Sequence, residues 1–382
     1  MNILFFSPYY YPYISGVTTY PSHLFEKLKT SHKVTILTFL LPQAKQNEDL
    51  DGVAIVRMPY LLKVSKGFIS LQSISAFYTH AKNADTVMLN LPNAEGVFLA
   101  IIAKIMKKRI ISLFHCDVIL GLSAKERIVE FILRGCVWLQ LALSDTIVGY
   151  TQDYVQSRTV TKGFLKKFNY ILPPVPPLPE SSEPLKRFKE LKNSELWIGF
   201  VGRTAREKGL EYLIDATVRL KRKYPTLKLM LAGPYGDQVA GEEDYYNMII
   251  NKLTQSKIPY QFLGTLSGAA LNAFYQSIDV LVLPSINQTE AFGMVQVEAM
   301  LCGTPVVASD LPGVRVPIQL TKMGEIVSPG DSKQIASAVD RILSNRDAYT
   351  SKQKGRQARD IFSLQQTVAQ FHSLLKTRQG EL

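Results

Sequence analysis

The sequence predicts an α/β fold made of two doubly wound domains. Short β-branched runs alternate with longer helical patterns along the whole chain, which is typical of βα units on a parallel sheet. A proline-rich stretch interrupts this alternation once, after which it restarts. The chain has 382 residues, about twice the usual length of one domain, so two domains are expected.

The first domain is predicted over residues 1–172. It is followed by a linker over residues 173–195, because six prolines between Pro173 and Pro184 leave few backbone donors for a helix or a sheet. The strands of the first domain are expected at Asn2–Phe6, Lys33–Phe39, Thr86–Leu91, Arg109–Phe114 and Thr146–Tyr150.

The second domain is predicted over residues 196–360. Residues 361–382 are expected to form a C-terminal helix that returns to the first domain, because apolar residues recur near helical spacing over Ser363–Thr377. The strands of the second domain are expected at Leu196–Gly202, Lys228–Ala232, Tyr260–Leu263, Val280–Leu283 and Pro305–Ala308.

Composition limits the class of protein. Three widely spaced cysteines indicate neither a disulfide framework nor a zinc site. The chain begins as a strand and a loop rather than a signal peptide, and no uncharged apolar run is long enough to span a bilayer. A cytoplasmic protein is therefore expected.

The net charge of +12 is concentrated in residues 1–172, where 19 Lys and Arg face 11 Asp and Glu, a net +8. Such a positive surplus favours an anionic partner, which could be nucleic acid, an acidic lipid surface or a phosphorylated acceptor. The alternative is that the charge only keeps the protein soluble. No nucleic-acid-binding motif accompanies it, so no nucleic-acid partner is expected.

Glu298 lies in the middle of a predicted helix, Met294–Cys302, that is apolar on nearly every face. A carboxylate buried there needs donors, because an unpartnered charge costs several kcal/mol or is neutralised. The hydroxyls of a ligand could provide these donors. A buried ion pair to an arginine is the alternative.

The start of this helix predicts a phosphate site. Gly293 leaves the backbone bare, so the amides of Gly293, Met294 and Val295 can point at an anion with the help of the helix dipole. Glu290 lies on the preceding loop, where it could accept hydrogen bonds from whatever the phosphate carries. For Glu290 alone, an ordinary acid at a helix start is the alternative.

A second cluster follows the strand at 196–202. Arg203 and Lys208 lie on one strand-to-helix loop and can converge on a diphosphate, although exposed loop cations are usually only solvated. In the first domain, Gly16 allows close approach of a phosphate, and His115 falls at the end of a strand where such sheets bind ligands. The alternative for Gly16 is a simple turn, and the alternative for His115 is a structural histidine.

Together these features resemble the retaining GT-B glycosyltransferases of family 4, the glycosyl transferases group 1, over nearly the whole chain. The resemblance is carried by the E-x7-E element from Glu290 to Glu298 in the context Glu-Ala-Phe-Gly, together with five smaller matches. These are Gly202-Arg203, Glu207-Lys208-Gly209, Gly16-Val17, His115 and Gly303-Thr304-Pro305. It implies two Rossmann-like domains that face each other across a cleft.

The resemblance also implies roles for individual residues. Arg203 and Lys208 would neutralise the donor diphosphate, Glu290 would hold hydroxyls of the donor sugar, and Glu298 would bind the ribose. His115 would contact the transferred sugar, and Asp117 would orient His115 or the acceptor. The catalytic residues would be His115, Arg203, Lys208 and Glu290, with donor contacts from Gly16, Val17, Phe292, Gly293, Met294 and Val295 as well.

The reaction implied is transfer of a hexose from a UDP- or GDP-sugar with retention, by front-face attack in which the leaving phosphate accepts the proton of the acceptor. The nucleotide-sugar donor would be the only cofactor. No metal is expected, because the two cations supply the positive charge and nothing in the sequence has metal-ligand spacing.

The acceptor would be a sugar or a lipid-linked sugar, and the more basic first domain would receive it. Residues 61–78, with Lys66 in the middle and Lys104, Lys107, Lys108 and Arg109 nearby, could lie on an anionic bilayer at the inner face of the cell membrane. Packing of this segment into its own core is the alternative.

Four other functions are alternatives. A sugar-nucleotide epimerase shares the fold, whereas a phosphorylase would need a pyridoxal site and a much longer chain. A catalytically silent sugar-nucleotide-binding protein would have no need to keep Glu290, Glu298, Arg203, Lys208 and His115 together. A nucleic-acid-binding protein would explain the charge but none of these residues.

Overall fold

A computed structural model describes residues 1–376 except 14, 43, 65–66 and 120–122. The chain divides into two compact units, each with its own sheet and core. Unit 1 contains Met1–Pro174 and the C-terminal segment from Leu364, and unit 2 is Val175–Ser363.

Unit 1 is built on an eight-stranded sheet in the order β10-β9-β8-β7-β1-β2-β4-β3. All neighbouring strands are parallel except β3 and β4, and β5 and β6 form a separate hairpin. The strands are β1 Asn2–Phe6, β2 Lys33–Phe39, β3 Asn47–Leu50, β4 Val53–Met58, β5 Leu62–Val64, β6 Gly67–Ile69, β7 Thr86–Leu91, β8 Arg109–Phe114, β9 Thr146–Gly149 and β10 Phe168–Tyr170.

Helices follow the strands of unit 1 as in other doubly wound sheets. They are α1 Gly16–Leu28, α2 Gln72–Ala81, α3 Gly96–Ile105, α4 Ala124–Leu143 and α5 Gln152–Ser157. A last helix, α14 Leu364–Lys376, packs on α1, where the rings of Tyr20 and Phe371 are 6.4 Å apart.

Unit 2 is built on a six-stranded parallel sheet in the order β13-β12-β11-β14-β15-β16. Its strands are β11 Leu196–Val201, β12 Leu227–Ala232, β13 Tyr260–Gly264, β14 Val280–Leu283, β15 Val306–Ser309 and β16 Gly324–Val327. Its helices are α6 Ser182–Lys192, α7 Leu210–Lys221, α8 Glu243–Ser256, α9 Gly268–Ser277, α10 Met294–Leu301, α11 Val316–Thr321, α12 Ser332–Ser344 and α13 Lys352–Ile361.

The strand order reverses at one point in each sheet. In unit 2 the chain winds outward from β11 in one direction and from β14 in the other, and in unit 1 it does so from β1 and β7. Open α/β sheets bind ligands outside the carboxyl ends of the strands at such a point. The loops after β11 and β14 are therefore the first place to look for a site in unit 2.

The predicted fold class is confirmed, with a doubly wound α/β sheet in each unit. Five of the ten predicted strands have the observed bounds, four differ by one residue at one end, and the strand predicted at Pro305–Ala308 is shifted by one residue. The prediction missed β3, β10, β16 and the β5–β6 hairpin, which are short or lie at sheet edges, and it also missed β4, which has six residues and lies inside the sheet.

The predicted linker over residues 173–195 is wrong in its second half. Residues from Ser182 to Lys192 form α6, which packs on α9. The side chain of Phe188 lies in the core of unit 2 against Trp197 and Phe274. Pro184 does not prevent the helix, because a proline in the first turn removes an amide that has no helical partner.

Within residues 61–78, Leu62–Val64 and Gly67–Ile69 pair as β5 and β6 and α2 begins at Gln72, while Lys66 lies outside the described residues. Phe68 and Phe77 point into the core, as the alternative interpretation expected, while Leu61 and Leu71 are exposed. Within the described ranges, no helix is both long and apolar enough to cross a bilayer.

Three of the four cations assigned to a lipid surface have partners within the protein. Lys104 pairs with Asp145 at 2.8 Å. Lys108 donates to two backbone carbonyl oxygens, and Arg109 donates to the carbonyls of residues 374 and 375 at the end of α14. These three residues therefore have partners that stabilise unit 1, and a lipid surface around them stays a prediction.

Candidate functional site

Two loops meet where the strand order of unit 2 reverses. One follows β11 over residues 202–209, and the other follows β14 over residues 284–293. The amide of Ile286 in the second loop donates to the carbonyl oxygen of Glu207 in the first, at 3.0 Å. The two loops therefore form one surface at the carboxyl edge of the sheet.

Gly209 is required for this approach. Its φ is +64°, and an added Cβ would lie 2.5 Å from the carbonyl oxygen of Pro284 and 2.8 Å from the side chain of Ile286. A side chain at this position would be strained and would push the loops apart. The close approach of the two loops thus explains why the Glu207-Lys208-Gly209 motif ends in a glycine.

An ion pair joins the two loops through their side chains. Nζ of Lys208 lies 2.5 Å from Oε2 of Glu290, and each side chain is 17% exposed. Burial alone would raise the pKa of Glu290, but the charge and hydrogen bond of Lys208, with the amide of Gly293, outweigh it and lower the pKa. Glu290 is therefore ionised at neutral pH.

Arg203 lies on the same loop, half exposed. Its Nη2 lies 2.8 Å from Oε1 of Glu207, and this i, i+4 ion pair holds the guanidinium at the surface. The site thus carries Arg203 and Lys208, each held by a carboxylate that an anionic ligand could replace.

The start of α10 differs in part from the prediction. Gly293 caps the helix with a left-handed backbone (φ 74°), as its sequence context predicts. Its amide, however, donates a hydrogen bond to the carboxylate of Glu290 and is not available to an external anion. Met294 and Val295 are partly exposed in the first turn, which has no capping side chain.

Phe292 does not line the site with its side chain. It is 2% exposed, and its ring packs on Phe362 with centroids 6.0 Å apart. Its carbonyl oxygen accepts a hydrogen bond from the buried Gln296 at 2.6 Å. The side chain of Phe292 therefore anchors the loop in the core. Its position does not support the prediction that this side chain contacts the nucleotide-sugar donor.

Glu298 has a partner that the sequence analysis did not consider. The hydroxyl of Tyr275, which is buried in α9, donates to Oε2 of Glu298 at 2.8 Å. Among the described residues this is the one hydrogen bond to the carboxylate, so the predicted arginine alternative is wrong. Burial raises the pKa of Glu298, and Tyr275 opposes this only in part. One carboxylate oxygen is left for a ligand.

In unit 1, His115 follows β8 at the carboxyl edge of the sheet, as predicted, but it is only 2% exposed. Nδ1 bonds the hydroxyl of Tyr150, and Nε2 bonds Oδ1 of Asn90. Burial lowers the pKa of His115 to about 3, so the ring is neutral. Both ring nitrogens have a structural function, and a contact with a sugar stays a prediction.

Asp117 does not orient His115, because other residues hold both ring nitrogens. It is buried, and its Oδ2 lies 3.5 Å from Arg134. Burial raises the pKa of Asp117, against the charges of Arg134 and Arg158. This part of the prediction is wrong, whereas orientation of an acceptor stays a prediction.

Gly16 is the first residue of α1 and is exposed. An added Cβ would meet no atom within 4 Å, and its φ is not positive, so neither packing nor backbone conformation requires a glycine. Open space above a helix start is compatible with the predicted phosphate contact. The carbonyl oxygen of Val17 accepts a hydrogen bond from Asn90 at 3.0 Å, which links this helix start to His115.

Sequence reasoning missed Tyr275, Asn90 and Tyr150. Each bonds the side chain of a predicted residue 23 to 35 positions away along the chain, and Asn90 also donates to the carbonyl oxygen of Val17. A possible signal for Asn90 is its place near the end of a buried strand, where a polar side chain needs a partner. No group of three or more His, Cys, Asp or Glu able to hold a metal occurs in the part of the chain that the structure describes.

Residues 182–360 match the family model described as glycosyl transferases group 1. This range contains both loops of the site and α10. The match covers unit 2 apart from its first seven and last three residues.

Three curated relatives are similar to part of the chain. An uncharacterized glycosyltransferase of Methanocaldococcus jannaschii is 38% identical over 41% of this chain and 37% of its own length. A D-inositol 3-phosphate glycosyltransferase of Corynebacterium urealyticum is 31% identical over 54% and 47%. A phosphatidyl-myo-inositol mannosyltransferase of Mycobacterium leprae is 33% identical over 38% and 37%. The chain thus spans less than half the length of these relatives.

Two solved structures share the fold over nearly the whole chain. The HepE protein of Anabaena in complex with UDP and glucose has a TM-score of 0.77 and 19% identity, and covers 98% of this chain and 99% of its own. Sucrose-phosphate synthase of Thermosynechococcus elongatus has a TM-score of 0.79 and 19% identity, with 98% of each chain covered. Together with the family match, they establish that the chain has the GT-B fold.

Proposed function

Since residues 182–360 are a glycosyl transferases group 1 domain, we propose that the protein is a retaining glycosyltransferase. It moves a hexose from a UDP- or GDP-sugar to an acceptor hydroxyl in the synthesis of a lipid-linked glycan, a glycolipid or a cell-surface polysaccharide. The observation that carries this proposal is the Lys208–Glu290 ion pair beside Arg203, at the reversal point of the sheet.

The two cations act on the leaving group. As the bond from the anomeric carbon to the phosphate oxygen breaks, negative charge grows on the diphosphate, and Arg203 and Lys208 stabilise it. Lys208 must exchange Glu290 for a phosphate oxygen when the donor binds. The freed carboxylate of Glu290 then accepts hydrogen bonds from hydroxyls of the donor sugar.

Glu298 receives the ribose of the donor. One of its carboxylate oxygens already accepts from Tyr275, and ribose hydroxyls supply donors to the other. The amides of Met294 and Val295 at the partly exposed start of α10 are proposed to contact the phosphates. Gly293 contributes through its conformation, since its amide is used by Glu290.

Retention follows from attack on the face that the leaving group vacates. The acceptor oxygen forms its bond to the anomeric carbon while the phosphate leaves, and the departing phosphate oxygen takes the acceptor proton. From unit 1, Gly16 and Val17 are proposed to contribute phosphate contacts. His115 is proposed to contact the transferred sugar, for which Tyr150 or Asn90 would release one ring nitrogen, and Asp117 to orient the acceptor.

The acceptor is proposed to be a sugar alcohol or a lipid-linked sugar at the inner face of the cell membrane. Support comes from the relatives, whose names specify D-inositol 3-phosphate and phosphatidyl-myo-inositol, and from the basic charge of residues 1–172. No metal is required in this proposal, because Arg203 and Lys208 provide the charge, so turnover with MgCl2 and with EDTA is expected to be equal.

The test is release of nucleoside diphosphate from UDP-, GDP-, ADP- and dTDP-sugars, with and without a membrane-lipid extract. We expect turnover with one donor, and we expect Lys208→Ala and Glu290→Gln each to lower it at least about a hundredfold, the scale of one transition-state contact.

Lys223→Ala is the matched control, because Lys223 forms an exposed ion pair with Asp340 in the same unit at 2.6 Å. It is expected to keep full turnover. Donor binding without turnover would favour a silent sugar-nucleotide-binding protein, and a changed sugar still attached to its nucleotide would identify an epimerase. Either result would overturn the proposal.

A further inference from the structure

Helix α4 carries a row of large apolar side chains that stay exposed in the described part of unit 1. The buried residues of this helix are Val137, Gln140 and Leu141, all in its second half. Phe131 is 81% exposed and Trp138 is 51% exposed. Large apolar side chains recur at i, i+3, i+4 and i+10 on the exposed face, namely Ile128, Phe131, Ile132 and Trp138.

Helix α3 extends this surface. It packs against α4 and buries Leu99, Ala100 and Ala103 toward the sheet. Phe98 and Ile105 point the other way and are 61% and 75% exposed. The successive β7-α3-β8-α4-β9 crossovers place both helices on one face of the sheet. We call the exposed apolar side chains of α3 and α4 the apolar face.

Such a concentration is absent from the described part of unit 2. Its exposed large aliphatic residues occur singly on different helices, namely Leu191, Val218, Met248 and Leu320. Single exposed apolar residues are normal on a soluble surface, whereas a contiguous patch marks an interaction site.

Cations flank the apolar face at both ends of α4. Lys125 and Arg127 are exposed in its first turns. Near its other end, the ring of Phe164 contacts that of Trp138, with centroids 5.6 Å apart. The turn that carries Phe164 also carries the exposed Lys162 and Lys166.

The acids of α4 leave a net charge of +1 on this helix, because Lys125, Arg127 and Arg134 outnumber Glu126 and Glu130. Glu126 caps the helix through hydrogen bonds with Ser123, and Glu130 lies 3.5 Å from Arg134. Apolar side chains between cations, with a tryptophan near the edge, match an anionic bilayer surface better than a protein surface.

We propose that the apolar face docks on an anionic lipid bilayer, with the first half of α4 lying in the interface. Phe131 and Ile132 insert among the acyl chains, Trp138 lies at headgroup depth, and Lys125, Arg127, Lys162 and Lys166 bind lipid phosphates. The helix lies flat, because charged residues interrupt it at 125, 126, 127, 130 and 134. This inference deepens the proposed function. It rests on that function only to explain why the protein would bind a membrane, which is where the proposed acceptor lies.

The test uses the two tryptophans, because Trp138 is exposed in unit 1 and Trp197 is fully buried in unit 2. The full-length protein is mixed with vesicles of phosphatidylcholine and phosphatidylglycerol in a 7:3 ratio, or of phosphatidylcholine alone. With anionic vesicles we expect co-sedimentation, a blue shift of the emission and quenching by brominated lipid. We expect weaker binding to pure phosphatidylcholine.

The double variant Phe131→Asp/Ile132→Asp is expected to bind anionic vesicles at least about tenfold more weakly, since it removes two large apolar side chains and adds two negative charges. Met248→Asp, at a partly exposed position of α8, is the control and should bind like the wild type. Because these vesicles contain neither donor nor sugar acceptor, Lys208→Ala is also expected to bind normally, which separates this inference from the proposed function.

Three results would overturn the inference. One is wild-type protein that stays in the supernatant, and another is binding that the double variant retains. The third is a dimer in sedimentation velocity that the double variant converts to monomer without any vesicle binding, because a second copy would then cover the apolar face.

Discussion

The carboxylate of Glu298 lies in surroundings that disfavour its charged form. Its pKa lies above the usual 4.5 because burial outweighs the single hydrogen bond from Tyr275. Between the unfolded and the folded pKa, the native state binds more protons than the unfolded state, so this residue lowers stability as the pH rises. A residue that costs stability in the free protein is a candidate for a function in the bound one.

We therefore expect Glu298→Gln to raise the free energy of unfolding by on the order of 1 kcal/mol near pH 8, with a gain that fades as the pH falls toward about 4. The same substitution should weaken donor binding, because a neutral amide accepts ribose hydrogen bonds less strongly. Urea unfolding at several pH values and donor titration measure the two effects.

Glu325→Gln is the control with opposite sign. Burial acts against ionisation of Glu325, but hydrogen bonds from Arg341 and Tyr349 lower its pKa overall. This substitution should destabilise the protein at neutral pH, with a loss that disappears in acid. Equal pH profiles for the two variants would contradict the assignment of Glu298.

At the scale of elements, Gly209 connects backbone geometry to the site. We expect Gly209→Ala to lower the free energy of unfolding by about 2 kcal/mol or more, because its left-handed backbone disfavours a Cβ and Pro284 leaves no room for one. Turnover should fall further than stability, because the Lys208 and Glu290 loops would separate. Thermal unfolding and nucleoside diphosphate release check this.

Gly355→Ala in α13 is the matched control. A Cβ there would meet no atom within 4 Å, and the position is helical, so a gain of about 0.5–1 kcal/mol is expected. A Gly209→Ala variant as stable and active as this control would show that the loops do not depend on their close approach.

The elements that sequence predicted well are those with a clear local pattern. Buried strands such as Val280–Leu283 are continuous apolar runs, and the sequence predicted their bounds. The helix at Ser182–Lys192 was missed because proline content was weighed without the position of Pro184 in the first turn. Edge strands such as β3 have no regular pattern, since only pairing with a neighbour defines them.

The candidate site was predictable as a set of residues but not as a set of contacts. Motif spacing placed Lys208 and Glu290 together, yet their direct pairing depends on two loops 82 residues apart in sequence. Likewise, Phe292 stands in the motif as its neighbours do, and only the packing on Phe362 shows that its ring faces the core. The local sequence pattern does not determine whether a side chain in a loop points to the core or to the site.

At the scale of the whole molecule, the chain leaves unit 1 after residue 174 and re-enters it at α14. We expect Phe371→Ala to destabilise unit 1 by roughly 3–5 kcal/mol, because Phe371 is fully buried against α1. In urea, the emission of Trp138 should change at a lower concentration than in the wild type, while that of Trp197 is unaffected.

Phe274→Ala provides the reciprocal control, because Phe274 is equally buried in α9 of unit 2. It should shift the Trp197 transition and leave that of Trp138 unchanged. If either substitution shifted both transitions equally, the two units would unfold as one cooperative body.

The Lys208–Glu290 ion pair also has a kinetic consequence. On the proposed function, donor binding is an exchange of counter-ions: a phosphate oxygen takes the place of Glu290, so binding gains only the difference between two attractions. After transfer, the same carboxylate competes with the nucleoside diphosphate for Lys208. On this proposal the protein carries its own displacing anion, which speeds release of the product and favours turnover over tight binding.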